Sequence, residues 1–171
     1  MPDAAPPSQS IIRRATIDDT ALVLGFIRSL AKYEKLEDRV VATEDDLRRW
    51  LFGPSPIAEV VLAFEGGEAA GFALFFPNFS TFLGRPGIYL EDLFVREASR
   101  GRGIGRQLLT HLARLAMERG WGRVEWAVLD WNAPAIRFYE SLGATVMPDW
   151  RICRIAGDTL AAYGAKPKSD G

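Results

Sequence analysis

Hydrophobic and polar positions alternate with two different periods along this chain, and the change falls near residue 60. Before it, Val23, Phe26, Ile27, Leu30 and Ala31 recur at helical spacing in "DDTALVLGFIRSLAKYE", with Asp18 or Asp19 placed to cap the helix. Thr43-Glu44-Asp45-Asp46 is a capping-box-like start for a second helix that would bury Leu47, Trp50 and Leu51 and stop at Gly53-Pro54. A short strand is expected at residues 11–15. After it, residues 60–64, a Gly66-Gly67 turn and residues 70–76 predict an antiparallel hairpin. Residues 88–95 predict a fourth strand, 104–119 a helix stopped by Gly120, and 124–129 a fifth strand. Residues 133–142 follow as a helix with Pro134 in its first turn and Gly143 past its end. Residues 151–155 would be a closing strand, in which Cys153 alternates with Ile152 and Ile155 as a packed residue. No internal repeat is present. Antiparallel strands followed by strand–helix–strand–helix predict an α/β or α+β mixed sheet of about six to seven strands flanked by about four helices. Residues 1–9 are expected to be a flexible leader, 10–163 a single domain and 164–171 a flexible tail.

Composition narrows the chemistry. The chain has 171 residues, 48% hydrophobic and 25% charged, with a formal net charge of −1. Bulk charge gives no support to a nucleic-acid partner, so any anion site must be a local arginine cluster. A single cysteine and a single histidine exclude an internal disulfide and the multi-Cys or multi-His sets of common zinc sites, and no metal is expected. His111, mid-helix beside Arg114, is expected to be exposed and without a role. The segment "MPDAAPPSQS" is unlike a signal peptide and no apolar run reaches membrane-spanning length, so a cytoplasmic protein with no membrane partner is expected.

The stretch "YLEDLFVREASRGRGIGRQLL" carries the most chemistry. Gly101, Gly103 and Gly105 alternate before a helix whose buried stripe is Ile104, Leu108, Leu112 and Leu115. Such a turn lets backbone N–H groups converge on an anion, and Arg100, Arg102 and Arg106 would add charge. A tightly packed helix start needs the same glycines, and the residues alone allow both. A P-loop is excluded because the turn has no lysine, and a dinucleotide fingerprint because Arg106 stands where its third glycine belongs. In the preceding strand, strict alternation puts Glu91 with Tyr89, Leu93 and Val95, and Asp92 with Leu90 and Phe94. Burial among such neighbours would raise the pKa of Glu91 toward that of a useful base, unless an arginine pairs with it. Asp92 reads as a structural or cation-binding acid.

Arg100-Gly101-Arg102-Gly103-Ile104-Gly105 after a strand resembles the pyrophosphate loop of the GNAT (GCN5-related) N-acetyltransferases. "WNAPAIRFYESLGA" (residues 131–144) resembles the next strand-to-helix element of that family. "SLAKYEKLED", "YLEDLFV" and "WNAPAIRFY" are similar to the diamine and polyamine branch, the spermidine/spermine N1-acetyltransferases and their thialysine Nε-acetyltransferase relatives, over roughly residues 11–156. The resemblance implies a GNAT fold and an acetyl-CoA-dependent enzyme that acetylates a primary amine directly. Backbone groups of Leu93, Phe94 and Val95 would run beside pantetheine, the loop from Arg100 to Arg106, including Ile104, would hold the pyrophosphate, and Asn132, Ala135 and Phe138 would contact the cofactor. Ala135 stands where many relatives have serine. Tyr139 would protonate the departing sulfur, although a core tyrosine fits the same position, and Glu91 would serve as base. Tyr33, Glu34, Glu91, Asp92 and Trp150 would line the amine site, and a homodimer is implied.

The amine needs such a base: with a lysine-like pKa of about 10.4, only about one part in 2,500 is neutral at pH 7, a handicap of about 4.6 kcal/mol. Polyamine-preferring relatives carry an acid where this chain has Ser80, followed by Pro-Trp; Ser80-Thr81-Phe82 resembles the thialysine type instead. A catalytically silent acyl-CoA-binding domain is the competing reading, disfavoured by the presence of both Glu91 and Tyr139. A nucleotide-dependent oxidoreductase is disfavoured by the missing glycine.

Overall fold

The computed structural model describes residues 10–165. The chain divides into two compact units, one ending at Leu129 and the other beginning at Asp130.

The first unit holds β1 (Ile11–Arg14), α1 (Thr20–Tyr33), α2 (Glu44–Phe52), β2 (Glu59–Glu65), β3 (Glu68–Ser80), β4 (Arg85–Val95), α3 (Ile104–Glu118) and β5 (Val124–Trp126). The strands form one sheet in sequential order, antiparallel from β1 to β4 and parallel between β4 and β5. This is the expected mixed α+β architecture. The sheet has five strands among the described residues rather than six to seven. The missing strand is the one expected at 151–155, and a second expected strand is shorter than its pattern suggests. The strand expected at 124–129 ends at Trp126, and residues 151–155 carry no regular structure. Among the described residues the second unit contains no other strand, so these backbone groups lack a ladder to join. Ile152 and Ile155 are accordingly exposed, as is Cys153, which is therefore not a packed strand residue.

Helix placement follows from apolar stripes and caps. In α1, Val23, Leu24, Phe26 and Ala31 are buried, and Ile27 and Leu30 pack against the same core. Phe26 stacks on Phe72 of β3 at 5.2 Å and meets Phe94 of β4 edge-on at 6.3 Å, which lays α1 across the sheet. Asp19 occupies the N-cap position of α1, as expected, but its side chain makes no capping hydrogen bond to that helix. It closes the preceding turn by accepting from the Thr16 amide at 2.8 Å, and it takes two hydrogen bonds from Arg13 at 2.7 and 2.8 Å. Thr43 and Asp46 form the capping box of α2 reciprocally, at 3.2 and 2.9 Å. Leu47 and Leu51 of that helix are buried, but Trp50 is 44% exposed with the Arg49 guanidinium 4.7 Å over its ring. On α3, Ile104, Leu108, Leu109, Leu112 and Ala116 are buried. His111 is half-buried rather than exposed, and burial pushes its pKa down.

The second unit holds α4 (Ala133–Glu140) and α5 (Gly157–Gly164). Asn132 caps α4, its Oδ1 accepting from the Ala135 amide at 3.3 Å, with a proline in the first turn as expected. The sequence did not announce α5, because its apolar positions Leu160 and Tyr163 are exposed, at 58% and 79%, and trace no buried stripe.

Candidate active site

The site of the first unit begins with a defect in β4. Leu90 pairs with Phe75 of β3 and Asp92 pairs with Leu74, so Glu91 is an extra residue with no partner. Directly opposed residues share a face, and Phe75 and Leu74 are consecutive, so Leu90 and Asp92 face opposite ways despite their i, i+2 spacing. Tyr89 (paired with Phe76), Asp92 (with Leu74) and Phe94 (with Phe72) therefore share the α1 face of the sheet. The Tyr89 and Phe76 rings lie 5.2 Å apart on it. Strict alternation had joined Asp92 to Leu90 and had Glu91 buried with Tyr89 and Leu93. The bulge undoes both, and Glu91 is exposed.

Electrostatics follow from that geometry. The Asp92 pKa is pushed up to about 7, first by burial and then by the charges of Glu91 and Glu34. Glu34, the residue that closes α1, is half-buried and its pKa is raised by that burial. Asp92 thus lies within electrostatic reach of Glu34, which follows Tyr33 at the end of α1, and of its chain neighbour Glu91. The turn after Glu34 is a Schellman-type stop: the Leu36 amide donates to the Ala31 carbonyl at 2.8 Å and the Lys35 amide to Lys32 at 3.1 Å. Lys35 occupies the left-handed position of that turn, with φ 60.

The same bulge marks the end of pairing on the other side of β4. Strand β5 matches β4 only from Ile88 to Leu90, which leaves the β5-side edge of Leu93, Phe94 and Val95 outside the ladder. Such an edge can hydrogen-bond an extended, amide-containing ligand. Beyond Val95, a short turn (Glu97–Ser99) leads into the glycine loop. Gly101 and Gly103 adopt φ 77 and φ 81, a region side-chain-bearing residues rarely enter. Gly103 precedes α3 without any side-chain cap, so the first-turn amides of Ile104, Gly105 and Arg106 stand at an uncapped positive helix end. An anion such as a pyrophosphate fits this donor set.

The three arginines around the loop are held differently. Arg102 forms an ion pair with Glu65 at 2.8 Å, tying the loop to the β2–β3 turn. Arg100 donates from Nε to the Val95 carbonyl at 3.0 Å and lays its guanidinium over Tyr33 at 4.9 Å. Arg106 is exposed at the start of α3. Glu65 was not legible as part of this arrangement, since nothing in its sequence neighbourhood links it to a residue 37 positions later.

In the second unit, Asn132, Ala135, Phe138 and Tyr139 all lie on or cap α4, with the Phe138 and Tyr139 rings 5.3 Å apart. Asn132 and Tyr139 are seven residues apart, about two helical turns, so they lie along one side of the helix. Trp150 lies beyond α4 in irregular chain and is 73% exposed. Among the described residues, no group of three or more His, Cys, Asp or Glu is placed to hold a metal ion, and no helix is long and apolar enough to cross a membrane.

Comparison with known proteins accords with this geometry. An L-ornithine N5-acetyltransferase from Arabidopsis thaliana is 36% identical over 95% of this chain and 92% of its own length. A thialysine N-epsilon-acetyltransferase from Bos taurus is likewise 36% identical, over 91% of this chain and 98% of its own. Among solved structures, an integron cassette protein from V. cholerae superposes with a TM-score of 0.77 at 29% identity, covering 92% of this chain and 98% of its own. An aminoglycoside acetyltransferase from an uncultured soil metagenomic sample shares the fold at a TM-score of 0.73 and 18% identity, over 86% of this chain and 95% of its own. Residues 24–144 match the Acetyltransferase (GNAT) family. With that match over well more than half of its length and relatives 36% identical over nine-tenths of it, the chain belongs to the GNAT acetyltransferases, enzymes whose co-substrate is acetyl-CoA.

Proposed function

We propose that the protein transfers the acetyl group of acetyl-CoA to a primary amine of a small diamine or a lysine-like amino acid, with thialysine-type substrates favoured over polyamines. The observation that carries this reading is the half-buried Asp92, on a strand that continues toward the glycine loop and within electrostatic reach of both Glu34 and Glu91. Three carboxylates suit a substrate with a second cationic group. The thialysine and ornithine acetyltransferases to which the chain is similar over nine-tenths of its length carry such substrates in their names.

Residues 10–163 act in this reading as one acetyltransferase domain, as the family match, which runs across the boundary between the two units, supports. The loop amides and Arg106 hold the pyrophosphate, the free edge of Leu93–Val95 aligns the pantetheine, and Asn132, Ala135 and Phe138 complete the cofactor contacts. Acetyl-CoA supplies the activated thioester. Asp92 or Glu91, directly or through water, takes the proton that the ammonium group must lose. A carboxyl with a pKa near 7 is better matched to that task than an ordinary aspartate, which is why the half-buried Asp92 joins Glu91 as a candidate base. Tyr139 returns a proton to the thiolate. Tyr33 and Trp150 line the amine site with the acids.

Ser80 bears on substrate choice. It is buried, and its Oγ accepts from the Leu83 amide at 3.2 Å, so the position closes the β3–β4 turn instead of presenting a carboxylate to a polyamine. That turn also exposes Phe79, Phe82 and Leu83, at 60%, 96% and 53%, an apolar tip that supports a homodimer. The dimer acts in the cytoplasm, and light scattering on the purified protein checks the dimer.

The test is thiol release from acetyl-CoA with thialysine, ornithine, small diamines and spermidine. The basic amino acids are expected to give the highest kcat/KM, and a clear preference for spermidine would overturn the substrate reading. Tyr139→Phe is expected to lower kcat by about 10²-fold; full kcat at saturating substrates would remove Tyr139 from the mechanism.

A further inference from the structure

An arginine that serves only as phosphate charge has no reason to fold back onto a neighbouring helix, yet Arg100 does. Its Nε hydrogen-bonds the carbonyl of Val95, the last residue of β4, and its guanidinium covers the ring of Tyr33, the last residue of α1, at 4.9 Å. The Phe94 ring lies 5.6 Å away on the same group. One side chain of the anion loop therefore bridges the end of the catalytic strand and the end of the helix that supplies Glu34. A guanidinium suits such a bridge because it stacks through its face while its remaining N–H groups stay available in the plane. The helix end it covers stops at Lys35, a side-chain-bearing residue in the left-handed region at φ 60, so contacts from outside the helix help hold Tyr33 and Glu34 in place.

We propose that Arg100 is a positioning residue that couples the two substrate subsites, so that a pyrophosphate group in the loop of residues 100–106 and an amine at the end of α1 each strengthen binding of the other. The proposal rests on the functional reading above, which puts the cofactor at the loop and the amine at Tyr33–Glu34. An anion in the loop fixes the free N–H groups of Arg100, the fixed guanidinium holds Tyr33, and Glu34 is then presented beside Asp92. By linkage the coupling factor is the same measured from either side. An exposed cation–π contact corresponds to a factor of about two to five.

The experiment is a calorimetric titration of CoA, which cannot react, into the full-length protein alone and in saturating thialysine. The ratio of the two dissociation constants is the coupling factor, and any uniform loss of CoA affinity cancels in it. The wild type is expected to bind CoA about two- to fivefold more tightly with the amine present. Arg100→Gln and Tyr33→Leu should each bring the ratio to one, the double variant should show no further loss, and Tyr33→Phe, which keeps the ring, should retain it. A ratio of one in the wild type with both ligands bound, or a ratio unchanged in Arg100→Gln, overturns the coupling and leaves the proposed function standing. Failure of the wild type to bind CoA or the amine at all overturns both.

Discussion

Replacing Asp92 with asparagine removes a carboxyl that the fold holds against its ordinary preference for charge. Raising its pKa from 3.8 to about 7 spans roughly three units, a ceiling of about 4 kcal/mol at 1.36 kcal/mol per unit. The side chain keeps some solvent contact, so solvent screening brings the expected effect to about 1–3 kcal/mol. The sign follows from proton binding. Between pH 4 and pH 7 the folded protein holds the Asp92 proton more tightly than the unfolded chain does, so this group's stabilising contribution is complete below pH 4 and is lost as pH rises through 7. Asparagine has no such dependence. Asp92→Asn should therefore match the wild type near pH 4 and exceed it at pH 8, by about 3–10 °C in Tm for a chain of this size. The same variant should lower kcat/KM by at least about tenfold and remove the wild-type fall in rate below about pH 7. Thermal unfolding at pH 4, 6 and 8, with initial rates across the same range, measures both effects. A variant destabilised equally at every pH would refute the claim that Asp92 is held near neutrality by burial.

Other substitutions probe the elements that frame the site. Gly103→Ala must place a side chain at φ 81, so a loss of about 1–2 kcal/mol in urea unfolding is expected together with weaker CoA binding. Lys35→Gly relieves the left-handed turn after α1 and should add about 0.5–1 kcal/mol, read by the same unfolding curve. Gly71→Ala would drive a Cβ to 2.7 Å from the Phe94 carbonyl, and a loss of about 1–3 kcal/mol is expected. Glu65→Gln breaks the ion pair with Arg102; because that pair is largely exposed on the arginine side, stability should change by less than about 1 kcal/mol, while CoA affinity measured by calorimetry should fall.

Elements with a strong local signature were legible in the sequence. The stripe of α1, the Thr43 box, the Gly66-Gly67 hairpin and the Gly103 helix start each depend on residues a few positions apart, and the structure has all four. Features decided by a distant partner were not. The bulge at Glu91 exists because β3 sets the register of β4, and nothing in "YLEDLFV" distinguishes a bulged strand from a regular one. That slip of one residue leaves Asp92 half-buried and Glu91 exposed. Residues 151–155 alternate like a strand but find no ladder among the described residues of their unit. Trp50, expected inside, stays out because Leu47 and Leu51 already fill the inward face of α2 and Arg49 covers its ring.

Acetyl transfer to a primary amine is decided by incubating the purified protein with acetyl-CoA and thialysine and following thiol release together with the mass of the amine. Amine-dependent release of CoA, in step with one acetyl group gained on the primary amine, is expected. Tight binding of acetyl-CoA with no acetylated amine, across thialysine, ornithine and the small diamines, would contradict it.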